Sequence, residues 1–240
     1  ADQYPYAASC SSFVPSVVPS DGIPGGRKDL RKRMAADPAL DRQVRELLAR
    51  RLAMTKDVML CSCKKAEWRC RYISEVVATE KLDPAEVALE LYCSGGGMIV
   101  NFSMSEDDVR YGMQLPWVAT ASDGWGSGPT QSPTTHPRLF GAFPRKIGYY
   151  SLDQKVLPLA QAIRSCTGLP SDILRLPNRG YLREGAFADV VVFDPGAFRD
   201  QATFEKPGVY ATGLCHLFVN GQPAIAAGKP AITLYGRVLR

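Results

Sequence analysis

Histidine is scarce in this chain of 240 residues, with His136 and His216 the only two. A catalytic zinc takes three protein ligands and keeps one position open, so two histidines are too few for an all-histidine metal centre. No apolar run approaches the ~20 residues that span a membrane, which removes a membrane helix from the reading. The seven cysteines are odd in number and follow no regular framework. That argues against a disulfide scaffold and for a reducing, cytoplasmic setting. Cys61, Cys63, Cys70 and Cys93 invite a zinc reading, but their spacing matches none of the usual pairs of close thiols, and buried free thiols are expected instead. Strong net charge is missing too, at +5. The one basic run, Arg27-Lys28 and Arg31-Lys32-Arg33, contains Asp29 and no aromatic residue, so it reads as a solvated face rather than a nucleic-acid patch. There are no internal repeats. The first residues, ADQYPYAASC, lack an initiating Met and the basic-then-apolar order of a signal peptide, and they read like the middle of a strand.

Hydrophobic residues make up 45% of the chain, which suits a soluble protein with one sizeable core and an appended subdomain. Residues 2–8 look like a strand that ends at Pro5, because proline cannot donate to a ladder. Asp37-Pro38 and Asp83-Pro84 each place a capping side chain before a proline suited to the first helical position. Leu40, Val44, Leu47, Leu48 and Leu52 follow the first at helical spacing; Val87, Ala88, Leu91 and Tyr92 follow the second. Gly95-Gly96-Gly97 comes after a helix rather than before one, so it reads as a helix end and not as a phosphate loop. Short apolar strands between helices predict an α/β architecture with parallel strands. Pro158 to Thr167 predicts a helix capped by Gly168, with a second over about 171–176. A β-rich tail begins near Asn178, and Asn220-Gly221 inside it is a strong hairpin signal.

Between these parts lies Trp117–Tyr150, the stretch with the most chemistry. Its apolar start, Trp117 to Ala121, has the length of a buried strand and stops at Ser122-Asp123-Gly124. A carboxylate just past the carboxyl end of a buried strand, followed by a long polar loop, is how α/β barrels build active sites. A plain Asp-Gly turn explains the same residues without chemistry.

The motifs DQYPYAAS, GGGMIVNFSMSEDDV, ASDG, HPRLFGAFPR, TGLPSDILRL and RGYLREGAFADVVVFDP, with a final VNG, occur in that order. Together they resemble the carboxyl-terminal half of the D-aminoacylase (N-acyl-D-amino-acid deacylase) family of metal-dependent amidohydrolases. The ASDG, HPR and FPR constellation is specific to that family, whereas the ADVVVFDP pattern is shared by amidohydrolases at large. The resemblance implies the carboxyl-terminal part of a (β/α)8 barrel over residues 1–178, with DQYPY ending strand seven and Val118 to Ala121 as strand eight. An insertion over about 10–114 would separate the two, and 179–240 would be part of a small β-sandwich-like subdomain. The family's metal ligands, a Cys and several His on earlier strands, have no counterpart here. The chain is therefore expected to be a piece of a longer enzyme, inactive alone.

The implied reaction is hydrolysis of the amide of an N-acyl-D-amino acid, with zinc activating a water molecule. By resemblance Asp123 is the general acid and base and a possible weak metal ligand. Arg138 is the clamp for the substrate carboxylate, a role that suits a planar guanidinium. Tyr4 resembles the family's donor to the same group, Cys10 stands where the family has a small hydroxyl residue, and His136 is a rim residue or a plain loop histidine. His216 is expected to be structural. Two alternatives stay open: a cyclic-amide hydrolase sharing the tail motif, and a non-catalytic protein that kept the fold.

Overall fold

Asp37 and Asp83 open helices as their sequence signals predict. Asp37 Oδ1 accepts from the backbone N–H groups of Ala39 at 2.9 Å and Leu40 at 3.2 Å, and Asp83 Oδ1 from that of Ala85 at 2.8 Å. Each bond satisfies a donor that the first turn leaves without a partner. The computed structural model describes residues 1–18, 22–124 and 136–239. Contacts divide these into two units, one taking in 1–6, 106–124 and 137–239, the other 7–18, 22–105 and 136. Among the described residues no helix is long and apolar enough to cross a membrane.

The second unit is a four-stranded sheet with helices packed on it. Its strands lie in the order Ser9–Ser12, Met98–Asn101, Val58–Ser62, Arg71–Tyr72, and every neighbouring pair is antiparallel. This corrects the expected parallel arrangement. The link from Val58–Ser62 to Arg71–Tyr72 holds only the short 3-10 turn Ala66–Trp68, and a parallel crossover needs a dozen or more residues. The helices Pro38–Ala53 and Pro84–Cys93 present Val44, Leu48, Val87, Ala88 and Leu91 to a core completed by Phe13, Trp68, Leu60 and Ile99. Gly96 ends Pro84–Cys93 at φ +79°, its N–H donating to the Leu91 carbonyl at 2.6 Å, so the glycine run is a helix end. The basic run is partly paired. Arg31 meets Glu86 at 2.8 Å and Glu90 at 2.7 Å.

The first unit holds a two-stranded parallel sheet, Asp2–Gln3 beside Ala119–Thr120, with Asp2 opposite Ala119 and Gln3 opposite Thr120. Val118, Ala119 and Thr120 are buried, but Trp117 is 60% exposed. The apolar run is thus shorter than it reads, because a turn that closes with Val118 N–H donating to the Leu115 carbonyl holds Trp117 outside the strand. After residue 136 the chain forms the helix Arg138–Pro144 and runs directly into a π-helix, Arg145–Asp153. Neither was expected. The helix Leu159–Cys166 follows, and Gly168 starts the next helix, Gly168–Ile173, instead of capping the previous one. The tail is a four-stranded antiparallel sheet in the order Lys229–Pro230, Gln222–Ala226, Leu214–Val219, Val190–Phe193. Its hairpin turns at Asn220 and Gly221, both at positive φ (52° and 78°), as a tight two-residue turn requires.

Candidate active site

Two strands that run in the same direction release their following residues at the same end. Tyr4 follows Asp2–Gln3, and Asp123 comes shortly after Ala119–Thr120. The ladder extends one step beyond the paired residues, with the N–H of Ala121 donating to the Gln3 carbonyl at 3.0 Å. At Asp123 the backbone enters the left-handed region, φ +45°, which Asp tolerates better than most residues. The N–H of Gly124 donates to Ser122 Oγ at 3.2 Å and closes the turn. The Asp-Gly turn is therefore present, and its carboxylate also has a charged partner.

That partner is Arg138, the first residue of Arg138–Pro144. Its Nη2 lies 2.9 Å from Asp123 Oδ2. Its guanidinium carbon sits 4.7 Å from the centre of the Tyr4 ring, a cation–π contact. The arginine is buried and the aspartate largely exposed. Three residues far apart in sequence thus form one cluster at the carboxyl end of the parallel pair: a solvent-facing carboxylate, a buried planar cation and an aromatic face beneath it. Chemically it offers a proton acceptor beside a site for a planar anion.

A second layer lies behind this cluster. Arg145 Nε donates to the Pro5 carbonyl at 3.1 Å, and its Nη1 meets Asp200 Oδ2 at 3.1 Å. The rings of Tyr6, Tyr149 and Tyr150 surround its guanidinium at 5.0, 4.7 and 5.5 Å. Tyr150 donates its hydroxyl to Glu106 Oε2 at 3.0 Å, and burial chiefly pushes its pKa up to about 12. Tyr6 is raised further, by burial and then by the nearby Asp200 charge. Both phenols stay protonated at neutral pH. Sequence reasoning gave Arg145 and Tyr6 no role, although the FPR and YPY motifs contain them.

The other expected residues belong to the other unit. His136 is buried, its Nε2 2.9 Å from the Ala8 carbonyl. Cys10 lies on Ser9–Ser12 opposite Val100. The structure brings Asp123, Arg138 and Tyr4 together in one unit, while Cys10 and His136 are counted with the other. In the first unit His216 stacks on Phe218. None of the seven cysteines is in a disulfide; Cys61 and Cys63 are buried, whereas Cys70, read as a buried thiol, is exposed at a left-handed φ of 57°. Among the described residues no group of three His, Cys, Asp or Glu is placed to hold a metal ion.

The profile of the Amidohydrolase family matches residues 102–225, more than half of the chain and the segment that carries Asp123, Arg138 and Arg145. The chain belongs to the amidohydrolase family. As an amidohydrolase it is 37% identical over 183 residues to the D-aminoacylase of Alcaligenes xylosoxydans xylosoxydans, a match covering 76% of this chain and 35% of that enzyme. The N-acyl-D-glutamate deacylase of the same organism is 35% identical over 168 residues, covering 70% and 33%. The chain thus spans about a third of the length of the curated relatives it matches. A D-aminoacylase crystal structure superposes with a TM-score of 0.72 at 28% identity, over 99% of this chain and 42% of the other. The N-acyl-D-glutamate deacylase of Bordetella bronchiseptica, solved with zinc and a phosphonate inhibitor, gives 0.69 at 26%, over 98% and 42%. A binuclear metal centre is described for D-aminoacylase.

Proposed function

We propose that this amidohydrolase acts in the hydrolysis of the amide bond of N-acyl-D-amino acids, giving a carboxylate and a free D-amino acid. The observation that carries the reading is the Asp123–Arg138–Tyr4 cluster at the carboxyl end of two parallel strands. Relatives named for N-acyl-D-amino-acid substrates support it. Asp2–Gln3 and Ala119–Thr120 are then strands seven and eight of a (β/α)8 barrel. Residues of about 10–114 form the insertion between them, and 179–240 a small β subdomain.

Amide nitrogen is a poor leaving group until it is protonated. A single carboxylate that takes a proton from the attacking water and hands it to the nitrogen serves both halves of the reaction. Asp123 has the solvent access for that role. Arg138 receives the α-carboxylate, the charged group shared by N-acyl-D-amino acids, and Tyr4 supports the guanidinium from below. A cyclic-amide substrate lacks that carboxylate, so the buried arginine favours the linear substrate. Zinc is the metal expected from the relatives. The described residues do not fit it on their own, because they bring no three ligands together and Asp123 is engaged with Arg138. Its ligands would lie outside them.

The test uses the complete enzyme with N-acetyl-D-amino acids, their L-enantiomers, and D-substrates whose carboxylate is a neutral amide. Arg138→Lys keeps the charge but loses the planar fork, so kcat/KM on the acid should fall, and Arg138→Ala should lower it by roughly ten- to a hundredfold. If Arg138→Ala impairs the neutral amide equally, the arginine is structural and the clamp assignment fails.

A further inference from the structure

Arg145 is held by the Pro5 carbonyl, the Asp200 carboxylate and three tyrosine rings. We infer that Arg145 is a positioning residue for the carboxylate site: it pins the Tyr4-Pro5-Tyr6 turn and thereby keeps the Tyr4 ring beneath the Arg138 guanidinium. The inference rests on the reading of Arg138 given above and extends it to a residue behind it.

Tyr4 is fixed from both sides. On its amino side the ladder holds Gln3, whose carbonyl accepts from Ala121 N–H at 3.0 Å. On its carboxyl side the Pro5 carbonyl accepts from Arg145 Nε at 3.1 Å, and the N–H of Tyr6 turns back to the Tyr4 carbonyl at 3.1 Å. Pinning the Pro5 carbonyl sets the plane of the peptide that closes this turn.

The anchor is rigid for two reasons. Asp200, its side chain 11% exposed, takes Nη1 and fixes the far end of the guanidinium. The π-helix supplies the other restraint. Its wider turn allows residues four and five positions on to flank one side chain, and Tyr149 and Tyr150 both lie against Arg145. In an α-helix the fifth position turns away. Lysine has a compact ammonium without a directional Nε–H, so it cannot reach Pro5 and Asp200 through one planar group.

The experiment is NMR on the complete enzyme labelled with 15N-arginine, with the Arg138 Nε–Hε signal assigned by its loss in Arg138→Lys. Stacking on Tyr4 shifts this signal upfield, and Tyr4→Leu measures how much of the shift the ring supplies. Arg145→Lys is expected to remove most of it. Asp200→Asn, which keeps the arginine but loosens it, is expected to remove part, and stands as the second variant if Arg145→Lys fails to fold. Retention of the full shift in the folded variants overturns the positioning role, whatever the activity. N-acetyl-D-alanine is then titrated against the same signal, and its affinity is expected to weaken several-fold in Arg145→Lys. A lost shift with unchanged affinity leaves Arg145 positioning Tyr4 and overturns the carboxylate-site reading of Arg138 instead, so the two failures are distinguishable.

Discussion

Asp123 and Arg138 meet at 2.9 Å with opposite exposure, the carboxylate side chain 64% open and the guanidinium side chain 8%. Water screens the pair from the aspartate side, so its contribution to stability is small, of the order of an exposed ion pair. The burial of Arg138 is sustained by Tyr4 as well as by Asp123. The fold therefore depends little on the charge of this carboxylate.

Asp123→Asn tests this directly. Asn tolerates the left-handed φ of 45° as well as Asp does, so the substitution isolates the charge. Stability should fall by no more than about 1 kcal/mol. In the complete enzyme, turnover of N-acetyl-D-amino acids should fall by ~10²–10⁴-fold, the usual cost of losing a general acid–base group. A large drop in the urea midpoint with little change in kcat would make the residue a strut rather than a base.

Acid lability should trace to Glu86. It meets Arg31 and Arg45 at 2.8 Å each, while Arg45 also holds Asp41 at 3.1 Å. Burial works to raise its pKa, but the hydrogen bonds from Arg45 and Arg31 outweigh burial and hold it below the ordinary 4.5. A carboxylate depressed in the fold adds stability above its unfolded pKa and loses it as pH falls through the folded value. Glu86→Gln should cost about 1 kcal/mol at pH 7 and flatten the decline in stability below about pH 4.5. An unchanged acid slope would acquit Glu86.

Gly97 should accept no side chain. A Cβ there would sit 1.8 Å from the Ser62 carbonyl oxygen. The Gly97 carbonyl is already held by Phe13 N–H at 2.8 Å, so the backbone cannot simply retreat. Gly97→Ala should lower the urea midpoint by about 1–3 kcal/mol equivalent, the usual range for forced overpacking. Gly236→Ala is the control, since its Cβ meets nothing within 4 Å. Equal effects at both positions would refute the close approach.

How legible these features were in the sequence follows from how local their causes are. The Asp37-Pro38 and Asp83-Pro84 starts and the Asn220-Gly221 turn each depend on a few adjacent residues, and all three were read correctly. The antiparallel order of the second unit depends on which strand meets which, and no local pattern carries that. The helices over Arg138–Asp153 were hidden by Gly141, Pro144 and Gly148, which read as loop residues. The chain remains helical past Pro144 by changing to π register, at the point where a proline would otherwise break the α-helical ladder. In the candidate site, motifs named Asp123, Arg138 and Tyr4, but the parallel pairing of Gln3 with Thr120 is what unites them. Arg145 was missed because its partners, Pro5 and Asp200, are remote in sequence.

Lys146 offers the clearest pH signature. Its side chain is buried, the residue 2% exposed, on the π-helix that packs against Leu159–Cys166. Among the described residues its ammonium has no hydrogen bond or ion pair. Burial lowers its pKa from the ordinary 10.5, and the neighbouring Cys166 offsets this only in part. The unfolded chain therefore binds the proton more readily than the fold does. The penalty is full below the folded pKa and fades as pH rises towards 10.5. Cys166 has the opposite slope, because burial raises its pKa above 9.0 and stability then falls as pH rises through that value. The measurement must therefore be the difference between variant and wild type, in which Cys166 cancels to first order. Lys146→Met keeps an unbranched chain of similar length and removes the charge. At pH 7 it should be more stable than wild type by about 1 kcal/mol or more. That advantage should shrink steadily as the pH approaches 10.5. Lys146→Ala removes the charge as well but leaves a cavity, so it should gain less or lose stability. Urea midpoints at a series of pH values decide the matter. A methionine variant that is less stable at pH 7, or whose advantage does not vary with pH, would mean that the buried amine is well solvated in the fold.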